Sequence, residues 1–249
     1  MKIKLVSSAL FAGLFASVAA AQTTTPGPQW SAYAGCWQAA APEGQTTVTP
    51  MPEVCVVPSS NGLGADLLTL TARKITDRTH VEADAVQHPV AREGCTGWEA
   101  ARWSIDGRRL YFSSQQLCEG GVQRKGSGIF AIGADGIWTN VVNVTAGGGQ
   151  GLRVLRYNPV TIDSTYPAEV VSAFGNRQMS LGTARISART KTTIDNILEA
   201  NKAVDAAVVQ GWVASSQQTF DLDAKQLIRL ADAGVSSETI DIKIGRAHV

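Results

Sequence analysis

Glu99 is an acidic residue that the sequence places on the apolar face of a predicted β-strand, where water would not solvate its charge. In the predicted hairpin that contains Glu99, Trp103 and Phe112 lie on the same face as its side chain. A carboxylate on that face needs a partner or a raised pKa. Three roles are open: a structural salt bridge with Arg153 or Arg156, a contact to a ligand, or the general acid or base of a hydrolase. The salt bridge is the simplest role, and no second inward acid can be placed nearby to support a hydrolase.

Metal-ligating residue types also occur, but in an unfavourable setting. His80, Glu82 and Asp84 alternate along a predicted strand and therefore project from one face. Imidazole and carboxylate groups bind divalent metals. Arg73 and two threonines share this face, however, and the opposite face is apolar, so we interpret it as a solvated strand surface. His88 is placed in a loop. The sequence predicts no metal site and no cofactor.

Two glycine-rich stretches resemble catalytic motifs but occur in the wrong context. Gly126-Ser127-Gly128 lies at the start of a predicted strand, whereas a serine nucleophile elbow joins a strand to a helix. The cluster from Gly147 to Gly151 joins two strands, whereas a phosphate-binding loop precedes a helix. We interpret neither stretch as catalytic, which disfavours an enzyme.

The outer face of the hairpin that carries Glu99 combines aromatic and basic side chains. These are Trp98, Arg102, Arg109 and Tyr111. Aromatic residues interleaved with arginine bind sugars, bases or protein partners. Two interpretations stay open: docking of a cell-envelope protein, in which the C-terminal helices could also take part, and packing of those helices against this face.

The cysteines indicate how these residues are positioned. Cys36, Cys55, Cys95 and Cys118 form an even set, which favours two disulfides in an oxidising compartment. Asp106-Gly107 predicts a two-residue hairpin turn. With that turn, the residue numbers of any two directly facing residues add to 213, and 95 and 118 also add to 213. We therefore expect Cys95 and Cys118 to form a hydrogen-bonded pair with their Cα atoms about 5.5 Å apart. By elimination, Cys36 pairs with Cys55 around the polar stretch 42–49.

A turn at Thr76-Asp77 is predicted to join strands 66–75 and 78–86. In that register Leu68, Leu70 and Val81 lie on the apolar, inward face. The alternation of apolar and polar residues on both strands is typical of a sheet with one solvated face.

A further turn at Asp135-Gly136 is predicted to join strands 124–132 and 137–144. Phe130 and Val141 then share one face, and Ile129 and Trp138 share the other. Because both faces are apolar, this pair of strands needs a cover. A last strand is predicted from Leu152 to Tyr157.

These elements predict a mainly β fold with a helical C-terminal part. Eight or nine strands with short turns, within residues 33–158, indicate an antiparallel up-and-down barrel, with a β-sandwich as the alternative. A segment at 159–189 connects it to a helical region at 190–243. We expect two or three helices there: 190–215, 222–233 with Asp221 as N-cap and Gly234 as stop, and a third beginning at Ser236.

Both ends of the chain are expected to lie outside the fold. Residues 1–21 have the basic start, apolar stretch and small-residue cleavage site of a signal peptide, which predicts a periplasmic or secreted protein. Residues 22–32 are expected to form a disordered linker. Residues 244–249, Ile-Gly-Arg-Ala-His-Val, match a translated sequencing adapter, so we expect them to be an artefact and the native C-terminus to be missing.

Gly35-Cys36-Trp37 on the first strand, with Arg153 and Arg156 on the last, resembles lipocalins and related calycin-type barrels. In that family a Gly-x-Trp closes one barrel end, and an arginine from the last strand packs across the indole ring. The resemblance implies a barrel followed by a helix. The family's Thr-Asp-Tyr-like turn has no counterpart in this sequence. Residues 222–240 resemble helical hairpins at the ends of many bacterial exported proteins.

Composition excludes several classes of protein. Of 249 residues, 22 are basic and 21 acidic, so no global charge favours nucleic acid. A hydrophobic fraction of 44% excludes a wholly disordered chain. After the signal peptide, no apolar run is long enough to span a membrane.

We therefore predict an exported, non-enzymatic protein that binds a small apolar or amphipathic ligand inside a disulfide-stapled barrel. The predicted ligand contacts are Glu99, Trp37, Trp103, Phe112 and Arg156. One alternative is a structural or interaction module of the cell envelope without a cavity. A second is a hydrolase that uses Glu99.

Overall fold

The computed structural model describes residues 28–41, 51–220 and 222–244. Within these ranges the chain forms ten β-strands and seven α-helices. The predicted signal peptide, most of the predicted linker and residues 245–249 lie outside the described residues, as do the expected turn at 42–49 and the expected N-cap Asp221.

All ten strands belong to one antiparallel sheet. They are β1 Gly35–Ala39, β2 Glu53–Pro58, β3 Gly64–Thr71, β4 Lys74–Glu82, β5 His88–Arg92, β6 Cys95–Trp103, β7 Arg109–Cys118, β8 Gln123–Ile132, β9 Trp138–Ala146 and β10 Gly149–Val160. Their order is β4-β3-β2-β1-β10-β9-β8-β7-β6-β5. The sheet curls around a concave interior, because residues of β2 to β10 line one and the same cavity.

The structure corrects the predicted barrel in two respects. It has ten strands rather than eight or nine, in part because the segment around His88, expected to be a loop, pairs with β6 as β5. The sheet is also not closed by backbone pairing: β4 and β5 are its two edges. The chain between them turns instead toward β6, where the Ala85 N–H donates to the Ala101 carbonyl at 2.9 Å. A single sheet also excludes the β-sandwich.

The β6–β7 hairpin keeps the predicted register with a longer turn. Cys95 faces Cys118 and Trp103 faces Leu110, but the turn has four residues, because the Ser104 N–H donates to the Arg109 carbonyl at 2.8 Å. One extra turn residue on each side leaves the centre of the hairpin, and therefore its facing residues, unchanged. It does exchange the hydrogen-bonded and non-hydrogen-bonded pairs of β6 and β7. Cys95 and Cys118 therefore occupy a non-hydrogen-bonded site, with their Cα atoms 3.9 Å apart rather than about 5.5 Å.

The predicted turn between β3 and β4 is wrong. It lies at Ala72-Arg73 rather than Thr76-Asp77, and both residues have positive φ, at 49° and 63°. Leu68 therefore faces Arg78. Positive φ at both central residues is the geometry of a type I′ turn, for which Asn-Gly is the usual sequence. Contacts from outside the hairpin hold it: Arg73 pairs with Glu53 at 3.0 Å and lies 3.8 Å from the centre of the Tyr166 ring.

The β8–β9 hairpin is offset by one position from the prediction. Ile132 faces Trp138 and Ile129 faces Val141, so Trp138 shares a face with Phe130, and Val141 shares a face with Ile129. The Gly133 N–H donates to the Ile137 carbonyl at 3.1 Å, which leaves three residues in the turn rather than two. Both faces of this hairpin are buried, as predicted.

The helices lie mainly after the sheet in the sequence. They are α1 Pro28–Ser31, α2 Ala168–Phe174, α3 Gln178–Ala188, α4 Ile194–Ala203, α5 Ala206–Ser215, α6 Ala224–Asp232 and α7 Ser237–Ile244. Two of them, α2 and α3, fall in the segment expected only to connect. Asp223 caps α6 by accepting from the Gln226 N–H at 2.7 Å, and Gly234 follows that helix with a φ of 72°.

The long helix predicted at 190–215 is two helices, α4 and α5. Val204 has an extended backbone, and Asp205 occupies the N-cap position of α5 without a capping hydrogen bond from its side chain. The Asp205 N–H donates to the Ser127 hydroxyl at 2.9 Å, and the Asn143 amide donates to the Asp205 carboxylate at 3.1 Å. The break therefore fastens the helices to the sheet, and it gives Ser127 a structural role.

Two groups of helices cover the convex face of the sheet. The group α4–α5 packs on Tyr111, Ile129 and Val141, which provides the cover that the doubly apolar hairpin needs. The group α2–α3 packs on Cys36, Cys55, Leu68 and Leu70. The expectation that Leu68 and Leu70 face inward is therefore wrong: they are buried because helices cover the outside of β3.

Candidate functional site

The concave side of the sheet encloses a cavity of about 790 Å³. Pockets of about 300–1,000 Å³ suit small molecules. Side chains from nine strands line it, and exposed Arg92, Glu93 and Arg153 lie among the lining residues, so the cavity is open to solvent.

A cluster of aromatic residues packs behind the lining residues Phe130 and Tyr157 and closes the other end of the cavity. We define the aromatic floor as Trp30, Tyr33, Trp37, Trp103 and Trp138. The Trp30 ring centre lies 5.0 Å from that of Trp103, and Trp37 lies 5.7 Å from Trp138. The Tyr33 hydroxyl donates to the Arg108 carbonyl at 2.8 Å, and burial raises its pKa. Trp30 belongs to α1, a short helix within the range predicted to be a linker, and this helix helps to close the end of the cavity.

Arg185 of α3 packs across Trp37, the position that the lipocalin resemblance assigned to a last-strand arginine. Its guanidinium carbon lies 4.5 Å from the centre of the Trp37 ring, and it donates to the Ala34 carbonyl at 2.9 Å. Burial lowers the pKa of Arg185 to about 10. Gly35 permits this approach: its φ is 97°, and a Cβ there would lie 2.4 Å from Arg185 Nη2.

Apolar side chains from several strands line the cavity. Phe112 on β7 and Phe130 on β8 meet edge to face with ring centres 4.9 Å apart. Gly128 makes room for Phe112, because a Cβ at Gly128 would lie 2.1 Å from that ring. The other aliphatic lining residues are Val54, Leu67, Val81, Pro89, Val90, Ala100, Ala101, Val142 and Val144. These side chains can take up the hydrocarbon part of a ligand.

Glu99 lines the cavity, as its strand position implies, but with a partner other than those expected. Arg92 on β5 forms an ion pair with it, and the Gln116 amide donates to the same carboxylate at 3.2 Å. The side chain of Glu99 is 30% exposed. This geometry is that of an ion pair between neighbouring strands, with its charge already balanced.

A second group of polar side chains on the cavity wall lacks such partners. We call Arg153, Asn140 and Tyr157 the polar wall. Among the described residues, Arg153 makes no ion pair and the Tyr157 hydroxyl makes no hydrogen bond, although Tyr157 is only 4% exposed. Asn140 Oδ1 is buried without a hydrogen-bond partner. Burial raises the pKa of Tyr157, and the charge of Arg153 opposes that rise.

The residues considered for a metal site are only partly together. Glu82, Asp84 and His88 lie within reach of one ion, whereas His80 pairs with Asp66 on the outer face at 2.7 Å. His88 Nε2 lies 3.0 Å from Asp84 Oδ1. This hydrogen bond raises the pKa of His88 and lowers that of Asp84.

The aromatic and basic face of β6 and β7 is divided between helices and solvent. Arg109 and Tyr111 are buried under α4 and α5, and Arg109 lies 5.8 Å from the Trp212 ring centre. Burial raises the pKa of Tyr111 to about 12. Trp98 is half-buried and Arg102 is exposed. Helix packing, rather than a partner, therefore accounts for Arg109 and Tyr111.

Of the predicted ligand contacts, Glu99 and Phe112 line the cavity, whereas Trp37 and Trp103 do not: both are packed in the aromatic floor behind the lining residues. Arg156 points away from the cavity and pairs with Asp135 at 3.0 Å. The sequence reasoning missed the polar wall. Its signal was present, because Arg153, Leu155 and Tyr157 alternate on one strand, and Tyr157 pairs with Trp138 on the interior face.

Comparisons with known proteins give little further information. No family model matches the chain, and no curated protein matches it. Among the solved structures that match is secretory abundant heat soluble protein 4 from Ramazzottius varieornatus, at 10% identity and a TM-score of 0.34. The match covers 55% of this chain and 99% of that protein. Such a likeness carries no argument about function.

A separate finding concerns membranes. Within the described part of the chain, none of the helices has the length and apolar character needed to cross a bilayer.

Proposed function

We propose that this protein is a non-enzymatic binding protein that holds a small amphipathic ligand on the concave side of its curled sheet. The observation that carries the proposal is the cavity of about 790 Å³, open at one end and closed by the aromatic floor at the other. More than half of its lining residues are polar or charged and the others are mainly aliphatic or aromatic, which suits an amphipathic rather than a purely apolar ligand.

The balance of charges around Glu99 also supports binding over hydrolysis. Arg92 and Gln116 both engage its carboxylate. A general acid or base must be free to exchange a proton with the substrate, whereas a balanced ion pair serves to hold β5 against β6. Glu99 is therefore assigned to the wall of the site.

We further propose that the protein acts outside the cytoplasm, in the periplasm or the medium. The two disulfides, Cys36–Cys55 and Cys95–Cys118, support this proposal, because such bonds persist in oxidising compartments. The basic and apolar N-terminal residues are typical of a signal peptide.

The proposal is tested by titration with N-phenyl-1-naphthylamine, a neutral apolar probe whose fluorescence rises on leaving water. We expect saturable binding to the purified protein. Val142→Trp places a large side chain in the cavity wall and should reduce affinity about tenfold or more, because it fills the space that the probe needs.

Val86→Trp is the matched control, since Val86 is 54% exposed and does not line the cavity. It should bind the probe as the wild type does. Thermal unfolding of each variant shows that the fold is retained. Fluorescence that never saturates, or equal affinity in Val142→Trp and the wild type, would rule out the cavity as a binding site.

A further inference from the structure

We propose that the polar wall selects the ligand class: an amphipathic organic anion whose acidic group pairs with Arg153, and which carries a hydroxyl or N–H donor for Asn140 further in. This inference rests on the proposed function and adds the chemistry of the ligand. It is carried by three polar side chains on one wall of the cavity that have no partners among the described residues.

The register places these three side chains around Leu155. On β10, Arg153 and Tyr157 flank Leu155 on the interior face, about 13 Å apart along the strand. Asn140 on β9 faces Leu155 directly, so it is a diagonal neighbour of both, at about 7–8 Å. The group therefore forms one continuous patch that runs from the exposed Arg153 to the buried Tyr157 at the floor.

The charges around the cavity favour an anion at Arg153. Arg92 is already paired with Glu99, and Arg124 lies 3.7 Å from Glu93. His88 is engaged by Asp84. Arg153 is thus the inward-facing guanidinium of the described residues whose charge is not balanced. Carboxylates and related acids match a guanidinium with two parallel hydrogen bonds.

Asn140 supplies the second element of recognition. Its buried Oδ1 is an acceptor without a donor among the described residues, and a buried polar atom in that state is costly. A ligand hydroxyl or N–H near the acid would satisfy it. Phe130, which faces Asn140 directly across β8 and β9, and Phe112, which packs on Phe130, take up the adjoining hydrocarbon part.

The experiment compares three ten-carbon ligands on the full protein at about pH 7, where a carboxyl group is ionised: decanol, decanoate and 3-hydroxydecanoate. Displacement of N-phenyl-1-naphthylamine reports affinity. We expect decanoate to bind about tenfold more tightly than decanol, and 3-hydroxydecanoate several-fold more tightly again, as expected for one charge-assisted and one neutral hydrogen bond.

Three variants assign these preferences. Arg153→Gln should abolish the preference for decanoate over decanol and leave decanol affinity within about twofold. Asn140→Leu should abolish only the preference for the hydroxylated acid. Arg156→Gln is the control, because the same residue type three positions on points away from the cavity and pairs with Asp135. It should retain both preferences.

The outcomes separate the two proposals. If no ligand displaces the probe, the cavity is not a binding site for amphiphiles and both proposals fail. If decanol binds as well as decanoate, or if the preference persists in Arg153→Gln, the proposed function stands and the anion site is overturned. Equal binding of the two acids by the wild type overturns the role of Asn140.

Discussion

Arg185 shows how a single side chain connects the helical layer to the floor of the cavity. It belongs to α3, yet it covers the ring of Trp37 on β1 and donates to Ala34. The lipocalin resemblance predicted an arginine over this indole ring from the last strand. The contact exists, but the arginine belongs to a helix that comes after the last strand, and no alternation pattern identifies this residue in the sequence.

Replacing Arg185 by Met keeps an unbranched apolar stem and removes the guanidinium. We expect a loss of about 2 kcal/mol in the free energy of unfolding, because one half-buried cation–π contact and one hydrogen bond disappear. Urea unfolding followed by tryptophan fluorescence measures it. Arg177→Met, at an exposed position before the same helix, is the control and should change stability by less than about 0.5 kcal/mol.

His88 provides a test of pH dependence. Its hydrogen bond to Asp84 raises its pKa above the ordinary value, so the folded protein binds the proton more tightly than the unfolded chain does. The resulting stabilisation is present in full below a pH of about 6.5 and is lost as the pH rises through the folded-state pKa.

We therefore expect the stability difference between wild type and His88→Gln to shrink between about pH 5.5 and pH 8. Urea unfolding across this range measures the difference, and the NMR titration of His88 gives its pKa directly. Asp84→Asn should return that pKa toward its ordinary value. A stability difference that grows with pH would contradict the assignment.

At the scale of elements, the hairpins show what the sequence could and could not predict. The Asp106-Gly107 signal fixed the centre of the β6–β7 hairpin, and therefore its facing residues and its disulfide, although the turn has four residues. Ala72-Arg73 carries no such signal. Its backbone is stabilised by Glu53 and Tyr166, contacts that appear only after folding. The faces assigned to β3 were wrong as a result, whereas Val81 of β4 lies on the inward face as predicted.

The polar wall was also difficult to predict from the sequence. Alternation on β10 reveals that Arg153 and Tyr157 share a face, but the absence of partners depends on every neighbouring strand. Asn140 was hidden because the predicted β8–β9 register was one position off. A candidate site built from unpartnered groups therefore requires the complete sheet, whereas a site marked by paired residues, such as the two disulfides, is visible in the sequence.

The two disulfides are expected to contribute unequally to stability. They enclose similar lengths of chain, with separations of 19 and 23 residues, so loss of either should cost about 3 kcal/mol through the entropy of the unfolded chain. Cys36 and Cys55 are also fully buried beneath α2 and α3, where truncation leaves a cavity.

Cys36→Ala/Cys55→Ala should therefore be less stable than Cys95→Ala/Cys118→Ala, by about 1–2 kcal/mol. Guanidinium unfolding of the two double variants measures this difference directly. Equal stabilities would show that α2 and α3 relax to fill the space, so that the helical cover is less rigid than its burial implies.

At the scale of the whole molecule, the helices are needed to cover the sheet at β8 and β9, because both faces of these two strands are apolar. The concave side is left open as a cavity, while the convex side is covered by α5 at short range. A Cβ on Gly211 of α5 would lie 3.1 Å from Val141 Cγ1 on β9. The distance between helix and sheet is therefore set by the absence of a side chain.

Gly211→Leu should lift α5 from the sheet and lower the free energy of unfolding by about 1–3 kcal/mol, because an extra side chain overpacks a closed interface. Gly182→Leu is the matched control: Gly182 lies in α3 with no atom near its missing Cβ, so leucine should stabilise that helix by up to about 1 kcal/mol. If sheet and helices unfold as one unit, far-UV circular dichroism and tryptophan fluorescence will report the same transition in both variants. Two separate transitions in Gly211→Leu would instead show that the curled sheet is stable without its helical cover.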